Sequence, residues 1–101
     1  MEIKQTKNDN RAIINLIGRF DFNVHREFRE AYSSLLTDAT VQSLEVNLNG
    51  VDYLDSSALG MLLMLRERAQ AAGKQVSLGS PNATVVKILD IAKFDKLFQI
   101  T

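Results

Sequence analysis

The residues with the clearest potential for chemistry are one carboxylate and two hydroxyls, Asp55, Ser56 and Ser57, in the stretch "VDYLDSSALG". An extended, partly apolar run precedes them, and a helical pattern follows at once. A helix N-terminus carries unpaired N–H groups and a partial positive charge, so Asp55 or Ser56 is suited to cap it. Capping needs only one of the three side chains. The second interpretation is that a serine here is modified or recognised by another protein.

Phosphorylation is the modification that this position would suit. A phosphate on Ser56 would add about −1.5 to −2 charges. The helix N-terminus would tolerate the anion, so the fold should survive, whereas a partner packed against apolar surface nearby would have to desolvate or repel it. The modification would then be neutral for stability and decisive for binding.

The helix after the triplet has two distinct faces. At 100° per residue, one side is apolar and forms the predicted core face: Ala58, Met61, Leu62, Leu65, Ala69 and Ala72. The opposite side carries Ser56, Gly60, Leu63, Met64 and Glu67. A small residue flanked by exposed Leu and Met is typical of a surface that another protein approaches closely. The alternative is that Leu63 and Met64 pack beneath a neighbouring loop or helix.

Periodicity predicts the elements before this helix. "RAIINLIGRFD" is a strong strand that we expect to end at Gly18, and "IKQTK" is a weaker partner strand across an "NDN" turn. A helix then begins after Asn23 as its N-cap, with a buried face of Val24, Phe28, Ala31 and Leu35. "SLEVNLNGVDYL" alternates and predicts a strand with one buried face.

The remaining elements complete an α/β order. The helix from about Ser56 to Ala72 is closed by Gly73, and "QVSLGS" is a short strand. Pro81 is expected at the first position of a third helix, and the tail "FDKLFQI" fits either a half-turn or an edge strand. The order β-β-α-β-α-β-α predicts right-handed crossovers and a mainly parallel sheet with an antiparallel start.

The totals indicate one small domain, residues 1–101, in a chain with 46% hydrophobic and 24% charged residues. The 12 basic and 12 acidic residues balance, which leaves no basic face for nucleic acid. No apolar run approaches the roughly 20 residues that span a bilayer, and "MEIKQTKNDNR" lacks the apolar segment of a secretory signal. We therefore expect a cytoplasmic protein with no nucleic-acid partner and no membrane insertion.

The sequence offers little for catalysis. There is no cysteine, and the single histidine, His25, excludes a multi-histidine metal centre. Neither G-x-G-x-x-G nor G-x-x-x-x-G-K-S/T occurs, and "LDSSALG" does not match G-x-S-x-G. A hydrolase would have to use His25, on a polar helix face far along the chain from the serines. We expect no enzymatic activity, metal or cofactor.

Three stretches together resemble a known family. "LEVNLNGVDYLDSSALG" resembles the signature of the STAS domain of bacterial anti-sigma factor antagonists. "LIGRFDF" resembles that family's Gly-x-apolar-Asp corner, and "VVKILDIAKFDKLFQI" resembles its last helix and tail. The resemblance covers essentially the whole chain. It departs only at Ala58, where many members have glycine and where alanine suits a helix better.

The resemblance implies a STAS-type sandwich with a mixed, mostly parallel sheet of about four to five strands and about three to four helices. It also implies partner switching: the unphosphorylated protein binds an anti-sigma factor, usually a serine kinase of the histidine-kinase-like ATPase fold, and a PPM-type phosphatase reverses phosphorylation. By the family pattern, Ser56 would be the phosphoacceptor, Asp55 and Ser57 its supporting neighbours, and Asp21 part of the same surface. The alternative is a STAS subunit of a multiprotein complex, such as a lipid-transport ATPase, that phosphorylation does not control.

Overall fold

A five-stranded mixed sheet organises the chain in the computed structural model, which describes residues 1–101. The elements in chain order are β1 (Glu2–Asn8), β2 (Arg11–Phe20), a 3₁₀ turn (Phe22–Val24), α1 (His25–Leu36), β3 (Ser43–Leu54), α2 (Ser56–Ala71), β4 (Gln75–Gly79), α3 (Ala83–Ile91), a second 3₁₀ turn (Phe94–Lys96) and β5 (Gln99–Ile100). The strands lie across the sheet in sequence order. Strand β1 is antiparallel to β2, and all other neighbours are parallel. The predicted fold class and element order are confirmed.

One hydrophobic core lies between the sheet and the three helices. Alternate residues of the central strands point into it, for example Ile14 of β2, Val46 of β3 and Leu78 of β4, which are neighbours in register. Each helix adds its apolar face, and no charged or polar side chain is buried. Tyr32 joins the predicted face of α1 and packs edge-on against Phe28, with ring centroids 5.4 Å apart. None of the helices has both the length and the apolarity needed to cross a bilayer.

The prediction that Gly18 ends the second strand is wrong. Strand β2 continues to Phe20, and its pairing with β3 shifts register between Gly18 and Arg19. Gly18 has a φ of 109°, a conformation that favours glycine, so it marks an irregularity within the strand and not its end. The continuation extends β2 to the same edge of the sheet as the end of β3.

Both helix starts predicted from Asn23 and Pro81 are also wrong. The Asp21 carboxylate accepts a hydrogen bond from the Asn23 N–H at 3.0 Å and so caps a 3₁₀ turn, and α1 begins only after it. Helix α3 begins at Ala83, because Asn82 Oδ1 accepts from the Val85 N–H at 2.9 Å. The same Asn82 side chain donates to the Val51 carbonyl at 2.7 Å, which ties the start of α3 to β3.

The other boundaries agree with expectation more closely. Helix α2 runs from Ser56 to Ala71, and Gly73 follows with a φ of 73°. Ala72, predicted on the core face, is exposed because it lies at the cap beyond the last helical turn. The tail forms both structures that its pattern left open, a 3₁₀ turn and then a two-residue edge strand parallel to β4.

A polar loop after α1 leads the chain into β3. The Asp38 carboxylate accepts hydrogen bonds from the N–H and the hydroxyl of Thr40, at 2.9 and 2.6 Å, and lies 3.0 Å from Lys7 Nζ of the edge strand. These partners favour the charged carboxylate, chiefly through Thr40, and hold the pKa of Asp38 well below its ordinary value. The loop is thus stabilised by an ionised side chain.

Replacement of Asp38 by asparagine is therefore expected to lower the free energy of unfolding in a pH-dependent way. Because the folded-state pKa is lowered, the carboxylate contributes its full stabilisation above the ordinary pKa of about 4 and loses it progressively as pH falls below that value. Urea titrations at a series of pH values should show the largest deficit of Asp38→Asn at neutral pH. Asp9→Asn, in an exposed turn, is the control; a deficit that stays constant into acid would contradict the assignment.

Candidate functional site

The candidate site lies where β2 and β3 end side by side. The Asp55 N–H donates to the Phe20 carbonyl at 3.3 Å, which brings the two strand ends together. Asp21 and Asp55 are each the first residue after their strand, and each accepts a hydrogen bond from the backbone of the turn that follows. The structure therefore places Asp21 and the Asp55–Ser57 triplet side by side, at the C-terminal ends of β2 and β3.

Asp55 is the N-cap of α2. Its Oδ1 accepts from the Ala58 N–H at 2.8 Å, and its own carbonyl accepts the first helical bond from the Leu59 N–H at 3.1 Å. The sequence left the cap open between Asp55 and Ser56; the structure assigns it to Asp55. The hydroxyl of Ser56 is consequently not required for the cap.

The two serines differ in accessibility. Ser56 occupies the first position of α2 and is exposed, whereas Ser57 is partly buried. The N–H groups of the first turn lack helical partners, and the aligned peptide dipoles give this end of the helix a partial positive charge. Additional negative charge on Ser56 would lie at the end of the helix where anions are stabilised.

Asp21 contributes to the site mainly by holding the turn that follows β2. Besides capping the 3₁₀ turn, its carboxylate lies 3.2 Å from Arg19 Nε, and Asp21 is only partly exposed. The cap sets the direction of the turn, which presents Phe22 to solvent with 70% of its surface exposed. The Phe22 ring stacks on the imidazole of His25, with centroids 6.3 Å apart.

Sequence reasoning missed these aromatic and cationic neighbours. The Arg19 guanidinium lies 4.7 Å from the ring centroid of Tyr53, a cation–π contact between two residues that are register partners in β2 and β3. Tyr53 and Phe22 are both large exposed apolar residues close in sequence to the caps. In the sequence, the signal that could have identified them is a large apolar residue directly beside the polar residues at each strand end. Their mutual placement depends on strand pairing.

The outer face of α2 is partly as predicted. A Cβ added at Gly60 would meet nothing within 4 Å, and Met64 is 46% exposed. Leu63 is only partly exposed, because it packs against the core together with Leu59. The open part of this face therefore consists of Ser56, Gly60, Met64 and Glu67, with Leu63 at its margin.

Comparison with known proteins decides the family. Residues 3–99 match the family model described as "Mlab, STAS domain". The chain belongs to the STAS family. A STAS-domain containing protein of Pseudomonas aeruginosa is 46% identical over 88 residues, covering 87% of this chain and 85% of that protein. The anti-sigma F factor antagonist of Lysinibacillus sphaericus is 30% identical over 82 residues, or 80% of this chain and 69% of that protein.

Solved structures of STAS proteins share the fold. A putative anti-sigma factor antagonist of Thermotoga maritima superposes with a TM-score of 0.87 at 19% identity, over 97% of this chain and 84% of that one. The anti-sigma factor antagonist SpoIIAA in its unphosphorylated form gives 0.83 at 19% identity, over 99% of this chain and 88% of that one. The expected STAS-type sandwich is thereby confirmed, with five strands and three α-helices.

The assignment of the cap predicts that two neighbouring aspartates differ in their contribution to stability. Asp55→Ala removes the acceptor of the Ala58 N–H and should lower the free energy of unfolding by about 1 kcal/mol. Asp52→Ala, at an exposed position that makes no such bond, should change it by less than about 0.5 kcal/mol. Urea denaturation of both variants measures the difference, and equal stabilities would show that Asp55 is not the stabilising cap in solution.

Proposed function

We propose that this chain is a non-enzymatic partner-switching regulator in which phosphorylation of Ser56 turns binding off. The carrying observation is that Ser56 is exposed at the first position of α2 while Asp55 alone provides the cap. The hydroxyl is thus accessible to a kinase and free of a structural duty. The chain would act as a single STAS domain, residues 1–101, in the cytoplasm.

The proposed binding surface surrounds Ser56. On α2 it includes Gly60 and Met64, with Leu63 at its edge, and on the adjacent loop it includes Phe22. Exposed aromatic and methionine side chains on rigid elements are typical of the residues that dominate binding energy at protein interfaces. A phosphate within this surface would have to be desolvated on binding, which opposes the complex.

The relatives support a regulatory partner of a particular kind. One curated relative is named an anti-sigma F factor antagonist, and SpoIIAA has been solved in unphosphorylated and phosphorylated forms. These names support an anti-sigma factor as the partner. From the family resemblance we further propose that the partner is such a factor or a serine kinase of the histidine-kinase-like ATPase fold, and that a PPM-type phosphatase removes the phosphate. Ser57 and Asp21 would support the site, Ser57 from within the first helical turn and Asp21 by holding the neighbouring loop.

A constitutive subunit, for example of a lipid-transport ATPase, is the second candidate. The observation in its favour is the Asp55 cap, which gives the triplet a structural role without any modification. In that case the complex would not respond to charge at position 56. The two functions are therefore separated by one substitution.

Ser56→Asp is expected to leave the fold intact and abolish capture of the regulatory partner, whereas Ser56→Ala should retain it. A carboxylate at the first position of α2 interacts favourably with the helix dipole. The free energy of unfolding should therefore rise slightly, and any decrease should be smaller than about 1 kcal/mol. Affinity capture from lysate of the native cell, with both variants as baits and mass spectrometry as the readout, measures the effect. Ser34→Asp, an exposed serine on α1, is the matched control.

Two outcomes would count against this proposal. Equal recovery of the same proteins by the Ser56→Ala and Ser56→Asp baits would favour the constitutive subunit. A loss of stability in Ser56→Asp comparable to that of Asp55→Ala would show that Ser56 is needed for the helix start.

Gly60→Ala should raise the stability of the fold and lower its affinity for the partner. The new methyl group meets nothing in the free chain, and alanine is better than glycine within a helix, so stability should rise by about 0.5–1 kcal/mol. If the partner approaches this face closely, its affinity should fall. Thermal unfolding and the binding assay are compared with Gln70→Ala on a later turn of α2; unchanged partner affinity in Gly60→Ala would place Gly60 outside the interface.

A further inference from the structure

A groove runs along the seam between α1 and α2, away from the sheet. Its upper part contains a cavity of about 50 Å³. A second hollow continues toward the C-terminal ends of both helices, where it is lined in part by Leu36 and Ala71, and Arg68 borders both parts. Every residue that lines these two hollows belongs to α1, to α2 or to the position that directly follows one of them.

The floor of the upper groove is apolar and adaptable. Phe28, Tyr32 and Met61 are buried beneath it, and Met64 forms a half-exposed wall. Methionine side chains can adjust to the shape of a bound apolar group because they are unbranched and flexible. The cavity is of a size for one side chain, so the groove suits the anchor residues of a segment and not a free small molecule.

The charged side chains that line the groove are arginines. On α1, Glu27 and Glu30 line a separate hollow against β1, whereas Arg29 and His25 line the groove. Arg68 provides the opposite wall from α2. None of the chain's ion pairs involves Arg29 or Arg68.

Both guanidinium groups act on the floor of the groove. Burial raises the pKa of Tyr32, and the charges of Arg68 and Arg29 oppose that rise. Two cations therefore lie close to the same phenol, and neither of them forms an ion pair within the chain. An acidic group brought to this position would find two donors already in place.

From this geometry we propose that the groove between α1 and α2 binds an amphipathic helix of the partner that carries an apolar stripe flanked by carboxylates. The apolar side chains enter beside Met61 and Met64, and the carboxylates meet Arg29 and Arg68. The inference rests on the proposed function, because it names the chemistry of the partner that the switch controls. Helical spacing places Ser57 on the same side of α2 as Met61, Met64 and Arg68, so the line of the groove extends toward the residue that follows Ser56.

This arrangement gives the switch an electrostatic basis. Ser56 begins α2, and Met61 is the first residue of that helix that lines the groove. A phosphate on Ser56 would therefore lie beyond one end of the groove, which the proposed partner helix occupies with its negative charges. Like charges would then repel across the interface in addition to the cost of desolvation. The same modification would leave the free protein intact.

The test uses two synthetic helical peptides with the same leucine stripe, one flanked by glutamates and one by lysines. Each is titrated into the full ¹⁵N-labelled chain and into three variants. The first combines Arg29→Glu with Arg68→Glu, and the third is Ser56→Asp. The second is the charge-matched control, Lys87→Glu combined with Lys96→Glu, at exposed positions of α3 and the second 3₁₀ turn that do not line the groove. The glutamate peptide should shift amide signals of α1 and α2 along the groove. Reversal of both arginine charges should weaken the affinity for the glutamate peptide by about tenfold or more, whereas the control variant should keep it.

The outcomes separate this inference from the proposed function. Failure of the glutamate peptide to bind, equal binding of the lysine peptide, or shifts outside the groove would overturn the inference. If the glutamate peptide binds the groove equally well in the Ser56→Asp variant, the groove assignment stands and the electrostatic switch does not. A further outcome is that the Ser56→Ala and Ser56→Asp baits capture the same proteins equally while the glutamate peptide still binds the groove. That result would likewise keep the groove assignment and reject the switch.

Discussion

The pairing of β2 with β3 is the constraint on which the site depends. It brings the Phe20 carbonyl to the Asp55 N–H, so the two strands end at the same level of the sheet. Asp21 and Asp55 then occupy equivalent positions, and each carboxylate closes the first turn of the segment that follows. A slip of one residue in this pairing would separate the two caps and turn the buried side chains of β3 to the opposite face.

Because Asp55 alone closes the start of α2, the serine beside it is released from a structural role. Helix N-termini often use Ser or Asp as the cap, so a triplet of one Asp and two Ser has two more polar side chains than the cap requires. Of the two remaining hydroxyls, that of Ser56 lies on the surface, where a change in its charge acts on whatever approaches and not on the core. In the proposed switch, fold stability and partner affinity would be set by different atoms of three consecutive residues.

Features governed by burial were predictable from the sequence, and features governed by local competition were not. The alternation in β3 and the apolar face of α2 follow directly from which side faces the core. Asn23 and Pro81 have the right propensities for a helix start, but Asp21 and Asn82, one or two residues away, make the bonds. The Arg19–Tyr53 contact and the groove between the helices arise from the adjacency of separate segments, which periodicity within a segment does not encode.

The order of the strands has a consequence for how the protein is made. Because β1 to β5 lie across the sheet in the order of their synthesis, each strand after β1 pairs with one that has already been made. No early strand has to keep a gap for a late one, and each β-α unit extends an existing edge with short loop closures. The edge left waiting at each stage is covered by the next unit, which limits the time that apolar strands are open to other nascent chains. The chain can thus assemble from its N-terminus as translation proceeds.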